Sequence, residues 1–367
     1  MKHNFLTLLA LIGLLFITSC SSDDDGPQEP QVITIDGATV APDLGGANMG
    51  NQVFIDLSTN TTTTINRTSW DLGFSSAQDR VVINGSILMM AAELSATDIN
   101  AVSSSNTEVQ SIQPQAEVGN FNPANMAYVD APNGSLSGTA IATISATDAS
   151  NKVYLLNLGY EVGTEEPDTG SSNYKGEARG WKKIRILKNG NDYTLQYADL
   201  DDTTFESVTI SKNNDYNFTF FSFNTESIVN VEPQKDQWDL CYTIFTNEAV
   251  FGGTSYGAYA YADYILNNIK TDAKAYMIDE ATESITYEEF TIADVIEADF
   301  TTDQRSIGSS WRNGGGPGTS PSLKDDIFYV VNDANGNYYK LQFLALTNAE
   351  GVRGYPQFQY ELLEESN

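Results

Sequence analysis

Thr68–Ser76 reads TSWDLGFSS, and Asp236–Ile244 reads DQWDLCYTI. Trp-Asp-Leu occurs twice, each time followed by a small residue and an aromatic, in a chain with only 4 Trp. The text ahead of each motif is of one kind. VFIDLSTNTTTTINRTSWDLGF (53–74) and TFFSFNTESIVNVEPQKDQWDLCY (219–242) each hold an alternating strand, a polar turn-prone stretch and then the Trp segment. Each half also closes on three strands: KVYLLNL, WKKIRIL and DYTLQYADL in the first, IFYVVND, YYKLQFL and PQFQYELL in the second. A rival register pairs NGNDYTLQYADL with NGNYYKLQFLAL and has more identities, but it leaves PQFQYELL without a counterpart. The chain therefore reads as a tandem duplication of one β unit. Trp70 and Trp238 stand 168 residues apart (238 minus 70), far beyond the ~40–45 of a WD-repeat propeller blade.

Working outward, NQVFIDLST, DRVVINGSI, FTFFSFNT and DIFYVVND show β-branched and aromatic residues at period two. Turn pairs such as Asn189-Gly190 and Asn335-Gly336 separate the runs, and helical periodicity is weak. The expected fold class is all-β: two tandem antiparallel, sandwich-like units. In a strand, Trp70, Leu72 and Phe74 would point to one face, with Asp71 and Gly73 on the other.

The N-terminus MKHNFLTLLALIGLLFITSC has Lys2, an apolar run from Phe5 to Ile17, and small residues before Cys20. That run is shorter than the roughly 20 residues of a membrane-spanning helix and reads as a secretion signal, 1–19. Ile17-Thr18-Ser19-Cys20 resembles the bacterial lipobox, which implies acylation of Cys20, with palmitate among the expected chains, and attachment to a membrane. SSDDDGPQEP cannot bury enough surface to order itself, so 20–31 is expected to be a lipidated tether. Its acidic residues resemble the surface-export signal of Bacteroidetes lipoproteins, which implies the outer face of the outer membrane. The remaining chain divides into expected domains 32–212 and 213–367. Without 1–19 the chain holds 49 acidic and 18 basic residues, a formal charge of −31. Such a surface repels phosphate backbones and excludes nucleic acid as a partner. Cys241 is then the only other cysteine, so no intramolecular disulfide is expected.

WDLGF, WDLCY, EARGWKKIRILKNGNDYTLQYADLDD, the closing DDIFYVVNDANGNYYKLQFLALTNAEGVRGYPQFQYELL and the Gly-rich FGGTSYGAYAYADY (251–264) together resemble the HmuY family of Bacteroidetes surface lipoproteins, in two copies over 32–365. The resemblance implies an all-β, non-enzymatic protein that captures haem between two axial side chains and hands it to an outer-membrane receptor. The only histidine is His3, inside the signal, so haem or a related porphyrin would have to be held without histidine. The alternative is a haem-independent scaffold or adhesin that binds a partner protein or glycan.

Thioether sulfur ligates haem iron, which makes Met90, Met126 and Met89 the candidate axial ligands, against the commoner role of Met as core filler. Met90 is expected to face a pocket and Met89 the core. Tyr259 and Tyr261 would share one strand face as an aromatic platform, with Tyr256 and Tyr264 on the other. Cys241 would face opposite the Trp, as a buried hydrophobe more often than as a thiolate ligand. NDANGN (332–337) lacks the bidentate Glu of a twelve-residue calcium loop and reads as a turn. With no histidine in the mature chain, Ser-His, Cys-His and His-ligated zinc chemistry are excluded. Glu288-Glu289 carries no weight among so many acids, and no catalytic or metal site is expected.

Overall fold

The computed structural model describes residues 35–315 and 319–364; the expected signal, tether and Cys20 lie outside them. The strands run β1 (Gly37–Val40), β2 (Asn51–Asp56), β3 (Thr61–Asn66), β4 (Leu72–Ser75), β5 (Val81–Ile83), β6 (Met90–Glu93), β7 (Val153–Asn157), β8 (Trp181–Asn189), β9 (Asp192–Asp199) and β10 (Glu206–Ile210). They continue with β11 (Phe218–Ser222), β12 (Ser227–Val229), β13 (Leu240–Phe251), β14 (Thr254–Asn267), β15 (Lys274–Asp279), β16 (Arg312–Asn313), β17 (Ser322–Leu323), β18 (Ile327–Asn332), β19 (Tyr338–Thr347) and β20 (Arg353–Leu362). Every ladder is antiparallel, and helices are short. No helix among the described residues is long and apolar enough to cross a membrane.

Two five-stranded sheets, β10-β9-β8-β7-β6 and β1-β20-β19-β18-β15, share one layout. So do two four-stranded sheets, β12-β11-β4-β5 and β3-β2-β13-β14. This correspondence matches β7, β8 and β9 to β18, β19 and β20, the register that gives PQFQYELL a counterpart. Each five-stranded sheet packs on a four-stranded one across its own apolar core. Leu72, Phe74, Leu156, Ile184, Leu195 and Phe221 belong to one core; Val53, Leu240, Tyr242, Tyr329, Leu341 and Phe358 belong to the other. At the centre of the second, Trp311 stacks on Phe343 with centroids 4.3 Å apart.

The strands are not distributed as the linear copies would suggest. Residues 72–229 supply both sheets of one body, while the other is built from β1–β3 together with β13–β20. The three strands ahead of each Trp motif therefore complete the sandwich that the other motif begins: β2 pairs with β13 and β1 with β20, as β11 pairs with β4 and β10 with β9. The expected division at 212/213 describes repeats in sequence; the ladders group the strands as one body inserted into another. Both lie within one compact unit.

The Trp-Asp-Leu motifs fasten this exchange. Asp71 Oδ2 accepts from Phe223 N at 2.6 Å, just past β11, and Asp239 Oδ2 accepts from Leu57 N at 2.8 Å, just past β2. Asn84 donates to Arg67 O and Trp70 O, and Asn268 donates to Lys235 O and Trp238 O in the same way. Each motif carboxylate thus turns onto a backbone donor, and the donor belongs to the other copy. Trp70 does not share a face with Leu72 and Phe74. It precedes β4 and packs with Phe54, Phe220, Trp238 and Cys241 between the bodies. Cys241 accordingly lies in the same cluster as the Trp rather than opposite it.

The chain crosses between bodies at Arg67–Ser69. Arg67 is fully buried there and donates to Met49 O (2.9 Å), Ser86 O (2.7 Å) and Tyr174 O. Burial lowers its guanidinium to about 10. Three carbonyls from separate segments meet one planar fork, which fixes the crossing in place.

Candidate functional site

The two Trp hairpins differ in length. Asn84 follows Trp70 by 14 residues, whereas Asn268 follows Trp238 by 30. The second hairpin, β13–β14, is therefore 16 residues longer and reaches beyond the sheet, since β2 pairs only with Leu240–Tyr242. This extension carries the GTSYGAYAYADY text.

On β14, Ala258, Ala260 and Ala262 face inward against Ile244, Met90 and Val118. Tyr259 and Tyr261 turn outward, with ring centroids 5.4 Å apart, as the period-two reading expects. Tyr264 departs from that reading. The register slips between Thr243 and Phe245, and Asp263 takes a left-handed φ of 48°. This bulge shifts the alternation, so Tyr264 joins Tyr261 at 6.0 Å and stacks by Phe245 at 4.7 Å. Buried Asp263 is held by Arg353 Nε at 2.6 Å and Arg312 Nε at 3.5 Å. Tyr264 thus backs the pair from beneath: Tyr259 is exposed, Tyr261 half-buried and Tyr264 buried.

A further ring comes from the inserted body. Phe121 is 58% exposed, has φ 55° and lies 6.2 Å from Tyr259, inclined by 33°. A bulky side chain in the left-handed region costs of order 1–3 kcal/mol, and exposing the ring forgoes its burial. The loop is held in place regardless: Gly119 N donates to Ala258 O (2.8 Å), and Ala258 N donates to Asn125 Oδ1 (2.7 Å). Gly257 permits this docking, because a Cβ there would lie 2.3 Å from Asn122 O. Tyr259 is 39% exposed, and Val250, Phe251 and Tyr256 are exposed toward the hairpin tip. Sequence reading missed Phe121; its signal was a lone aromatic in the turn-rich GNFNPAN.

Met89 and Met90 are both fully buried, in different cores. Met90 meets the alanine face of β14 and does not open onto a pocket, because its strand β6 lies under that hairpin. Met126, in the 3₁₀ turn Pro123–Tyr128, packs half-buried on the same cluster as Met90. Burial raises the Tyr261 and Tyr264 phenols, Tyr264 to about 12, so both are neutral at ordinary pH. Burial also pushes the Cys241 thiol up. In the 332–337 stretch, Asp333 caps its own turn by accepting from Asn335 N and Asn337 N. No group of three or more His, Cys, Asp or Glu that would hold a metal occurs among the described residues.

Between the bodies lies a pocket of about 200 Å³, lined by Phe54, Trp70, Phe220 and Trp238 together with Lys270 and Gln304. Met89 borders it. It is smaller than the ~300–1,000 Å³ of sites for drug-sized ligands, so a porphyrin does not fit inside, whereas the open aromatic row of β14 sets no such limit.

A family model described as HmuY protein matches residues 48–210 and 214–360. Among solved structures, the chain is similar to the apo HmuY analog of Tannerella forsythia at 11% identity, covering 90% of this chain and 96% of that one, with a TM-score of 0.29. It is similar to a protein of Bacteroides vulgatus described as HmuY-like and haem-binding at 11% identity, 90% and 94% coverage and a TM-score of 0.23. A Bacteroides fragilis protein described as a lipoprotein matches at 11% identity, 91% and 97% coverage and a TM-score of 0.23. No curated protein matches the chain.

Proposed function

Because the chain belongs to the HmuY family, we propose that it is a non-enzymatic lipoprotein of the bacterial surface that captures haem or a related porphyrin on the aromatic row of β14, without histidine. The observation that carries this reading is Phe121, held exposed in a strained conformation beside exposed Tyr259. Neither feature helps the chain fold, and strain of this kind gathers at ligand sites. Flat aromatic ligands gain from offset or edge contacts with such rings. Met90 and Met126 lie beneath the alanine face, so iron ligation by either requires the hairpin to lift. Stacking therefore supplies the binding energy.

Titrating haem into the purified protein should give a Soret shift that saturates at a defined stoichiometry. Phe121→Ala and Tyr259→Ala should each weaken binding by about tenfold. Gly257→Val should undock the loop and weaken binding at least as much while leaving both sandwich cores folded. Absence of a shift in either oxidation state rejects the haem reading. The exposed tip at Val250, Phe251 and Tyr256 then favours the second reading, a scaffold or adhesin for a partner protein or glycan.

Anchoring is proposed through Cys20, in the outer membrane and facing outward, with a membrane receptor as the recipient of the ligand. Cys20→Ala should move the protein from the membrane fraction to the soluble fraction; unchanged fractionation would reject the anchor.

A further inference from the structure

Neither body forms the seam pocket alone: Val82 and Phe220 come from the inserted body, Phe54, Trp238 and Cys241 from the other, and Trp70 from the crossing between them. Its volume of about 200 Å³ exceeds the roughly 150 Å³ at which an apolar protein cavity takes up benzene. The pocket thus has room for one ring with a short substituent, and its walls are chiefly apolar.

Lys270 is the only cationic side chain among the lining residues. An ammonium has three donors, and one of them meets Gly134 O at 2.5 Å. The acids that border the pocket are already engaged. Asp130 accepts from Ile83 N and Ala140 N, and Glu232 accepts from Phe218 N. Burial holds Glu232 up at about 8 and Asp130 up at about 6, and lowers Lys270 to about 8 against the pull of the Asp130 and Glu232 carboxylates. Lys270 therefore brings an ammonium with one donor engaged to a pocket whose other lining includes Phe54, Trp70, Phe220 and Trp238.

We infer that the seam pocket binds a small arylcarboxylate, its single ring between the two motif tryptophans and its carboxylate on the Lys270 ammonium. This site is separate from the porphyrin row, and its test contains no porphyrin. Phenylacetate, followed through the intrinsic fluorescence of the 4 tryptophans, of which Trp70 and Trp238 line the pocket, should bind saturably to the full-length protein. The neutral 2-phenylethanol should bind about tenfold more weakly, because it lacks the charge-assisted contact. Lys270→Met should abolish that preference and Lys270→Arg should keep most of it. If Lys270→Met fails to fold, Val82→Trp, which fills the pocket from β5, should abolish binding while keeping the parent's melting transition. The inference is overturned if phenylacetate produces no saturable change, if Lys270→Met binds it as the parent does, or if a folded Val82→Trp protein still binds.

Discussion

Cleavage of the chain between Ser211 and Tyr216 is expected to leave one particle of unchanged size on gel filtration, with most of its stability intact. Two linear domains joined there would come apart. In this fold the first fragment keeps β1–β10 and the second keeps β11–β20, yet neither holds a complete body. The second fragment's β11 is paired to β4 and its β13 to β2, and its β20 is paired to β1. Asp71 and Asp239 close hydrogen bonds across both exchanges. Separation would break three ladders and open the aromatic cluster around Trp70 and Trp238. A site-specific protease sequence placed at Asn213-Asn214, followed by gel filtration of the cut protein, checks this. Two half-sized species in native buffer would contradict the exchanged topology.

One conservative change at the two motif aspartates should give losses that differ in their dependence on pH. Asp71 meets Arg179 Nη1 at 2.6 Å with both side chains nearly inaccessible, and Glu161 reaches the same guanidinium at 3.2 Å from a half-exposed position. Asp71→Asn leaves that buried cation short of charge, a loss of about 3–5 kcal/mol when a buried pair is broken, and the loss should persist from pH 5 to 8.5. Among the described residues no cation pairs with Asp239. It accepts from Leu57 N and Ala334 N, and burial, with Asp333 and Asp56 nearby, pushes it up to about 7.

A carboxyl raised in the folded state binds its proton more tightly there, so its stability contribution falls as pH rises from the unfolded value through about 7. At pH 5, Asp239→Asn should cost about 1–3 kcal/mol, because one N–H loses its acceptor. By pH 8.5 the parent carries the buried charge, a penalty of a few kcal/mol, and the variant should be as stable or more so. Urea midpoints at the two pH values check both statements. An Asp239→Asn deficit that stays constant with pH would show that this carboxyl is not raised.

The duplication, the strand identities and the register of the closing strands were legible in the sequence, because period-two patterning and Asn-Gly turns are local properties. The exchange was not. NQVFID and FTFFS fit either sandwich equally well, and only the backbone acceptors and donors around Asp71 and Asp239 show which one each completes. Face assignments failed where the backbone leaves ideal geometry. The bulge at Asp263 carried Tyr264 to the face of Tyr261, and Trp70 stands before its strand rather than in it. Met90 was read as pocket-facing from alternation with Met89, but both faces of β6 are covered, one by its own sandwich and one by the hairpin of the other body. Phe121 escaped because its value depends on a neighbour more than 130 residues away in sequence, Tyr259.

The proposal that porphyrin is held by stacking rather than by iron ligation is tested most directly by comparing haem with iron-free protoporphyrin on the same protein. With no histidine outside the signal, Met89 and Met90 sealed in cores and the Tyr261 phenol raised by burial, affinities for the two should agree within a few-fold. Phe121→Ala should weaken both alike. Haem bound about a hundredfold or more tightly than the iron-free ring, with that advantage lost in Met90→Ala or Met126→Ala, would contradict the stacking account and place a methionine on the iron.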